Sequence, residues 1–541
     1  MAYADVALIG GRIRTLDGAD RVVSSLAAWQ GRIVAIGERA DVAHSIGAQT
    51  QVIDLCGATA IPGIVDSHCH PDTYAIRLAK WCPLGPSEVK SRTQLLDTIA
   101  RRSATLAPGQ WFIGYRFNER ESGGYPTITE LDAAAAGRPL FILRTDAHLG
   151  LANSAAFAAC GIDAATSDPP FGRFDRSPAT GALTGLVRET AAHVFLARLH
   201  QTDTEAEIAA GLEQVFAEAF SYGVTTLYNS LTPSKAIRAY QTMKREGRLA
   251  MRIGIIASGR EDGLIEALIA AGIRTGFGDD TLRVIGVEWC PDCSTSGRTA
   301  AYYDPYVGTR IEGEPEANRG MLLYEAEDLK HRAIAAHKAG LQVMIEGVGD
   351  RGIDFALDAI EAALATHPVA DHRMRVEHCC YVTPPILARL KRLGVVDSSA
   401  TGFMYELGDA YVANRGADAM RHMWPHRSLI DAGVPAPGHS DAAVCSANPW
   451  TAMWAMVNRR SRSDTPLGPE QAVTPREALI AYTTLGAWSG FEEGVKGSLD
   501  IGKLADVAVL DRDPLSVHED ELRHVGALAT YVGGREVFSR M

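Results

Sequence analysis

The stretch GIVDSHCHPD, Gly63 to Asp72, sets two histidines two residues apart behind an apolar run. In an extended strand, residues i and i+2 face the same side. His68 and His70 then point one way, with Cys69 turned to the other. Two neutral imidazoles one strand repeat apart can share a metal ion. A bare HxH fits two ordinary loop histidines equally well, so other residues must decide. Four further apolar runs carry an ionisable residue at or near their ends. They are Glu288 in LRVIGVEW, Glu346 in LQVMIEG, His378 in RMRVEHC and Asp441 in VPAPGHSD. Gathered at one place, this set has the composition of a metal site.

What could gather them is a barrel of parallel strands. Strand-like runs fall at 60–68, 223–229, 251–257, 282–289, 341–347, 373–379, 394–400 and 434–441, and helical patterns separate most of them. Eight strands with helical crossovers predict an α/β fold, a (β/α)8 TIM-type barrel. Chemistry in such barrels collects at the C-terminal ends of the strands, where the residues above stand. The interval of about 72–215 is too long for one crossover and predicts a large insertion after barrel strand 1, lying over the mouth, with a strand of its own at 139–144. Both chain ends are rich in short β-runs broken by Gly-Gly, Asp-Gly and Gln-Gly pairs. They predict a small composite β-sandwich domain from residues 1–60 plus 494–541, leaving 61–493 as the barrel.

The 541 residues are 46% hydrophobic and 22% charged, enough for a sizeable globular core. A net charge of −12 and the lack of a basic block argue against nucleic acid as a partner. No uncharged apolar run reaches membrane-span length, and no secretory signal is evident. Nine scattered cysteines do not form a disulfide framework. The expectation is a cytoplasmic protein acting on a small molecule, with a homodimer left open.

Several longer motifs extend these observations: PGIVDSHCHP, RTDAHLGLANSAAF (144–157), TGLVRET (184–190), GVGDRGID (347–354), RVEHC, HSDAAVCSANPW (439–450) and the tail GSLDIGKLADVAVLD. Together they resemble the amidohydrolase superfamily, in particular the amidohydrolase-3 group that includes N-substituted formamide deformylases. The resemblance covers almost the whole chain. It implies a (β/α)8 barrel, the composite β-domain, and a metal-activated water that cleaves amide or related C–N bonds.

The chain departs from that group at two strand ends. Members usually carry a carbamylated lysine at the end of the fourth strand, bridging two metals. Here Glu288 stands at that place, and no lysine lies between Lys244 and Lys330. A glutamate offers the same charge on a shorter arm. The fifth strand usually ends in histidine, where this chain has Glu346. An anionic oxygen in place of a neutral nitrogen favours harder ions than an imidazole-rich site does. One divalent ion at His68, His70 and Asp441 is the core expectation, with His378, Glu288 and Glu346 as further ligands and one or two ions per chain. Zinc is the first choice, with Mn²⁺ or another divalent ion as alternatives. The competing view pairs Glu288 and Glu346 with arginines.

Within this scheme Asp441 acts as general base and then acid, and His378 holds a metal or the tetrahedral oxyanion. Arg144 and His148 match the family segment and are candidate substrate-binding residues. Asn153 from the same segment is as readily structural, and Glu189 has no derivable role. Trp289, with Trp81, Trp111, Phe403 and Trp450, could supply an apolar wall, although core packing suits each aromatic alone. The CPDC run (290–293) lacks the further ligands of a structural zinc and reads as loop packing, and Cys379 and Cys380 read as small buried thiols. The expected activity is metal-dependent hydrolysis of an amide or related non-peptide C–N bond in a small, partly apolar substrate. Alternatives on the same scaffold are ester, lactone or carbamate hydrolysis, deamination or decarboxylation. A more distant one is a binding protein without catalysis.

Overall fold

The computed structural model describes residues 3–107, 109–310 and 314–541. At its centre seven parallel strands lie side by side in sequence order: β1 (Ile64–Cys69), β2 (Val224–Thr232), β3 (Arg252–Ser258), β4 (Leu282–Trp289), β5 (Val343–Gly347), β6 (Arg375–His378) and β7 (Val396–Ser399). Every one of these pairings is parallel. The strands are buried almost throughout, as expected when side chains on one face fill a barrel and helices cover the other.

The expected eighth strand is not a regular strand. Residues 434–441 still occupy its place, with a single parallel bridge from Ser399 to Gly438. On one side Asp397 and Ser399 donate backbone N–H groups to the carbonyls of Pro435 and Pro437, at 3.0 and 2.9 Å. On the other, Asp441 N–H donates to the His68 carbonyl at 3.1 Å, and Ser67 Oγ donates to the Gly438 carbonyl at 3.0 Å. Pro435 and Pro437 have no N–H to give, so a continuous ladder cannot form. The segment closes the barrel without matching the hydrogen-bond pattern of its neighbours.

The run expected as one strand over 60–68 is divided at Gly63. Thr59–Pro62 joins a six-stranded sheet with Arg12–Arg14, Val22–Val23, Val507–Leu510, Ala527–Val532 and Arg535–Ser539. A second sheet holds Val6–Ile9, Ser25–Trp29, Arg32–Gly37 and Gln51–Asp54. Gly63 is the joint: a Cβ there would come within 2.1 Å of Thr225 Oγ1.

Helix α1 (Pro71–Lys80) starts directly after His70, with Pro71 in its first turn. The residues that follow form a six-stranded mixed sheet, in spatial order Cys82–Pro83, Phe112–Phe117, Leu140–Arg144, Leu149–Ala152, Leu183–Glu189 and Gly172–Arg176. The strand expected at 139–144 is Leu140–Arg144. Its turn into Leu149–Ala152 carries Asp146 and His148 to the barrel mouth, and helix α2 (Thr190–His200) begins after Glu189. Helix α3 (Thr401–Arg415) follows β7. Among the described residues no helix is long and apolar enough to cross a membrane.

Candidate metal centre

A cavity of about 530 Å³ opens at the C-terminal ends of the barrel strands. His68, His70, Glu288, Glu346, His378 and Asp441 all line it. His68 and His70 share a side of β1 as period-2 alternation requires. Asp441 reaches them from the irregular closing segment: its Oδ1 lies 3.0 Å from His70 Nε2 and 3.5 Å from His68 Nε2. These three groups offer ligand atoms within 4.8 Å of one another. The rings of His68 and His378 have centroids 4.8 Å apart. His378 and Asp441 adopt left-handed backbone conformations, with φ of 66° and 54°. For non-glycine residues such backbones are costly and recur at functional sites.

The second nitrogen of each β1 histidine is already engaged. His68 Nδ1 lies 2.7 Å from Glu377 Oε2, and His70 Nδ1 lies 3.1 Å from the Ser230 carbonyl. A carbonyl can only accept, so His70 carries its proton on Nδ1, and the carboxylate favours the same tautomer in His68. Both Nε2 atoms then turn lone pairs toward Asp441. Among the described residues His68 Nε2, Asp441 Oδ1, Glu288 Oε1 and His378 Nδ1 are buried without hydrogen-bond partners. Buried polar atoms are rarely left so, and the first three belong to strong metal-ligand types. The donor set fits a divalent cation.

Among the described residues Glu288 and Glu346 make no ion pair with arginine or lysine within 4 Å, although the Arg260 guanidinium acts on Glu346 from farther away. Glu288 Oε2 accepts a hydrogen bond from Ser230 Oγ at 2.5 Å. Glu346 Oε1 stands 3.8 Å from both His148 Nε2 and His378 Nε2, and its Oε2 contacts Cys290 Sγ. Burial pushes the carboxyl groups of Glu288 and Glu346 up from their ordinary range, which marks them as anions in want of a cation. Burial also opposes ionisation of Asp441, but the neighbouring imidazoles of His68, His70 and His378 prevail and hold it well below the usual carboxylate range. Burial holds His378 down to about 3, so its imidazole is neutral.

Two expected substrate-binding residues lie outside the cavity lining. Arg144 is held by Glu119 (2.8 and 2.9 Å), Asp146 (2.7 Å) and Ser296 (3.0 and 3.2 Å), which leaves its guanidinium no free edge. It positions Asp146, which does line the cavity. Trp289 follows Glu288 in β4 and so points to the opposite face of the strand, where its ring abuts Gly259. His148 does reach the cavity, with its Nδ1 2.8 Å from Glu189 Oε2. Asn153 is a helix cap, accepting from Ala156 N–H at 3.0 Å. Of the five aromatics considered, only Phe403 lines the cavity. Cys290 and Cys293 do more than pack a loop, since both form part of the wall. Cys379 and Cys380 are fully buried.

Glu377, Arg375 and His439 escaped the reading of the sequence. Arg375 and Glu377 are paired at 2.6 Å with no exposure at all. His439 stacks on His68 with centroids 4.7 Å apart. Two charged residues at i and i+2 inside the apolar run RMRVEHC were the available signal, because charges there need partners.

Residues 51–538 match the sequence profile described as the Amidohydrolase family. The chain is similar to N-substituted formamide deformylase of Arthrobacter pascens, 28% identical over 98% of this chain and 97% of that protein. It also superposes on an uncharacterized metal-dependent hydrolase of Pyrococcus horikoshii, with a TM-score of 0.76 and 26% identity over 95% of this chain and 99% of the other. A more distant likeness, of fold alone, is to an atrazine chlorohydrolase of Arthrobacter aurescens solved with zinc, with a TM-score of 0.54 and 14% identity over 99% and 95% of the two chains.

Proposed function

The chain belongs to the amidohydrolase family, and from that premise we propose that it hydrolyses an amide or related non-peptide C–N bond of a small, partly apolar molecule, using a divalent ion. The observation that carries this reading is the convergence of orphaned ligand atoms, His68 Nε2, Asp441 Oδ1 and Glu288 Oε1, around one cavity at the barrel mouth. His68, His70 and Asp441 would hold one ion, and Glu288, Glu346 and His378 would complete its shell or hold a second. Zinc suits the imidazole-carboxylate set, with Mn²⁺ the alternative that the extra glutamate oxygen favours. When bound, the ion supplies Lewis-acid polarisation of the scissile carbonyl and lowers the pKa of a coordinated water.

The protein's own groups divide the remaining work. Asp441 is ionised and accepts the proton that the attacking water gives up, then delivers it to the departing nitrogen. His378 is neutral and faces the cavity, where it can steady the oxygen that gains charge. Glu377, itself held by Arg375, fixes the orientation of His68. Phe403, Leu407, Leu196 and Leu231 line the cavity with apolar surface, which suits a partly apolar substrate. Resemblance to a formamide deformylase supports a C–N bond over an ester.

The test is release of a primary amine from N-formyl and N-acetyl alkylamines by protein loaded with zinc or manganese. Amine release that chelator abolishes and metal restores is the expected result. Turnover of the matching esters alone would move the activity to C–O bonds.

A further inference from the structure

Ser230 holds two of the candidate ligands at once. It lies near the end of β2 and is buried. Its Oγ donates to Glu288 Oε2 at 2.5 Å, and its carbonyl accepts from His70 Nδ1 at 3.1 Å. His70 directly follows β1, while Glu288 belongs to β4, and β3 stands between β2 and β4 in the sheet. One residue therefore ties ligands that come from three strands apart.

The backbone around Ser230 suits that double contact. Tyr228 packs inside the barrel with Val65, Ile256, Ile285 and Met344, and Ser230, two residues on, faces the same interior one step nearer the mouth. The pairing of β2 with β3 shifts register between Asn229 and Thr232, and Leu231 has a φ of 48°. Bulges of this kind re-aim side chains beside functional sites. Glu288 itself is fully buried. The last torsion of a glutamate is broad and roughly two-fold, so the side chain alone does not decide which oxygen meets a cation. Ser230 occupies Oε2, and Oε1 is the oxygen without a hydrogen-bond partner among the described residues.

We propose that Ser230 is a positioning residue for the metal: its hydroxyl turns the Glu288 carboxylate so that Oε1 is the ligand atom, and its carbonyl keeps His70 Nε2 free to bind. The inference rests on the metal-dependent reading above and adds to it a residue that is not itself a ligand. A buried carboxylate that loses such a partner keeps its desolvation cost and loses its orientation.

Chelator competition for zinc on the full chain tests this apart from turnover, in wild type, S230A, S230T, E288A and the S230A/E288A double variant. S230A removes the hydroxyl and leaves the carbonyl to His70. It should weaken zinc binding about 10- to 100-fold, as loss of an outer partner to a ligand does. S230T keeps the hydroxyl and should retain most of the affinity. A hydroxyl that acts through Glu288 has nothing left to orient in E288A, so there S230A should cause no further loss. Should S230A fail to fold, S230C makes the same comparison, with nearly the same shape and a weak donor. Unchanged zinc affinity in S230A, or an equal loss in the E288A background, overturns the proposal and leaves the metal reading standing. Wild type that binds no zinc overturns both.

Discussion

Glu377 Oε2 lies 2.7 Å from His68 Nδ1, and both side chains are sealed from solvent. The contact crosses the barrel interior, because β6 and β1 are not neighbours in the sheet. Burial opposes the charge on Glu377, but Arg375 and His68 hold its carboxyl far below the ordinary range. The carboxylate in turn fixes the His68 tautomer and raises the basicity of Nε2, the atom turned toward Asp441.

Replacing that carboxylate should therefore weaken the metal without emptying the site. We predict that Glu377→Gln lowers metal affinity by about 10- to 100-fold, as loss of an outer partner to a ligating histidine does. Chelator competition measures this directly. An affinity equal to wild type would leave Glu377 as a counter-ion to Arg375 and nothing more.

Asp441 is assigned both a ligand atom and the proton shuttle. Asp441→Asn keeps the shape and one oxygen but removes the base. Its kcat should fall about 10²- to 10⁴-fold, the usual worth of a positioned general base. Metal content should fall far less, since His68 and His70 remain. Near-normal turnover in metal-saturated Asp441→Asn would shift the base to another carboxylate, Glu346 first.

Glu288 stands where a carbamylated lysine is the familial pattern, and among the described residues no lysine lines the cavity. Reconstitution of the apoprotein should then be indifferent to bicarbonate. Activity recovered after metal addition, with and without bicarbonate in degassed buffer, is the comparison. A strong bicarbonate requirement would mean that a lysine is being carbamylated after all.

The two chain ends are tied by a bidentate pair, Arg14 Nε and Nη2 donating to Asp513 Oδ1 and Oδ2 at 2.9 and 2.6 Å. Burial works against Asp513, but Arg14 and Ser516 prevail and lower its carboxyl below the ordinary 3.8. The folded state thus releases this proton more readily than the unfolded chain. The resulting stability is present above about pH 4 and is lost as pH falls through the lowered value. Asp513→Asn should cost about 1–2 kcal/mol near neutrality and flatten the loss of thermal stability between about pH 5 and pH 3. Melting temperature against pH checks both, and an acid limb as steep as wild type would remove the pair from the account.

Much of this centre was legible in the sequence because its signals were local. HxH alternation fixed His68 and His70 on one side, and strand ends named Glu288, Glu346, His378 and Asp441 as residues of the mouth. What failed depended on partners distant in the chain. Arg144 looked free until Glu119 and Ser296 were seen to claim its donors, and Trp289 required knowing which face of β4 looks inward. The closing segment reads as a strand by composition, yet Pro435 and Pro437 deny it the ladder.

The central claim is a divalent ion held by His68, His70 and Asp441. Anomalous diffraction from zinc-grown crystals, collected on both sides of the zinc edge, tests it most directly. The account predicts a peak about 2.0–2.2 Å from His68 Nε2, His70 Nε2 and an Asp441 carboxylate oxygen, with any second peak bridged to the first by Glu288. A peak held only by His148, Glu189 and Cys293, which also lie close enough to share an ion, or no peak at the barrel mouth, would contradict it.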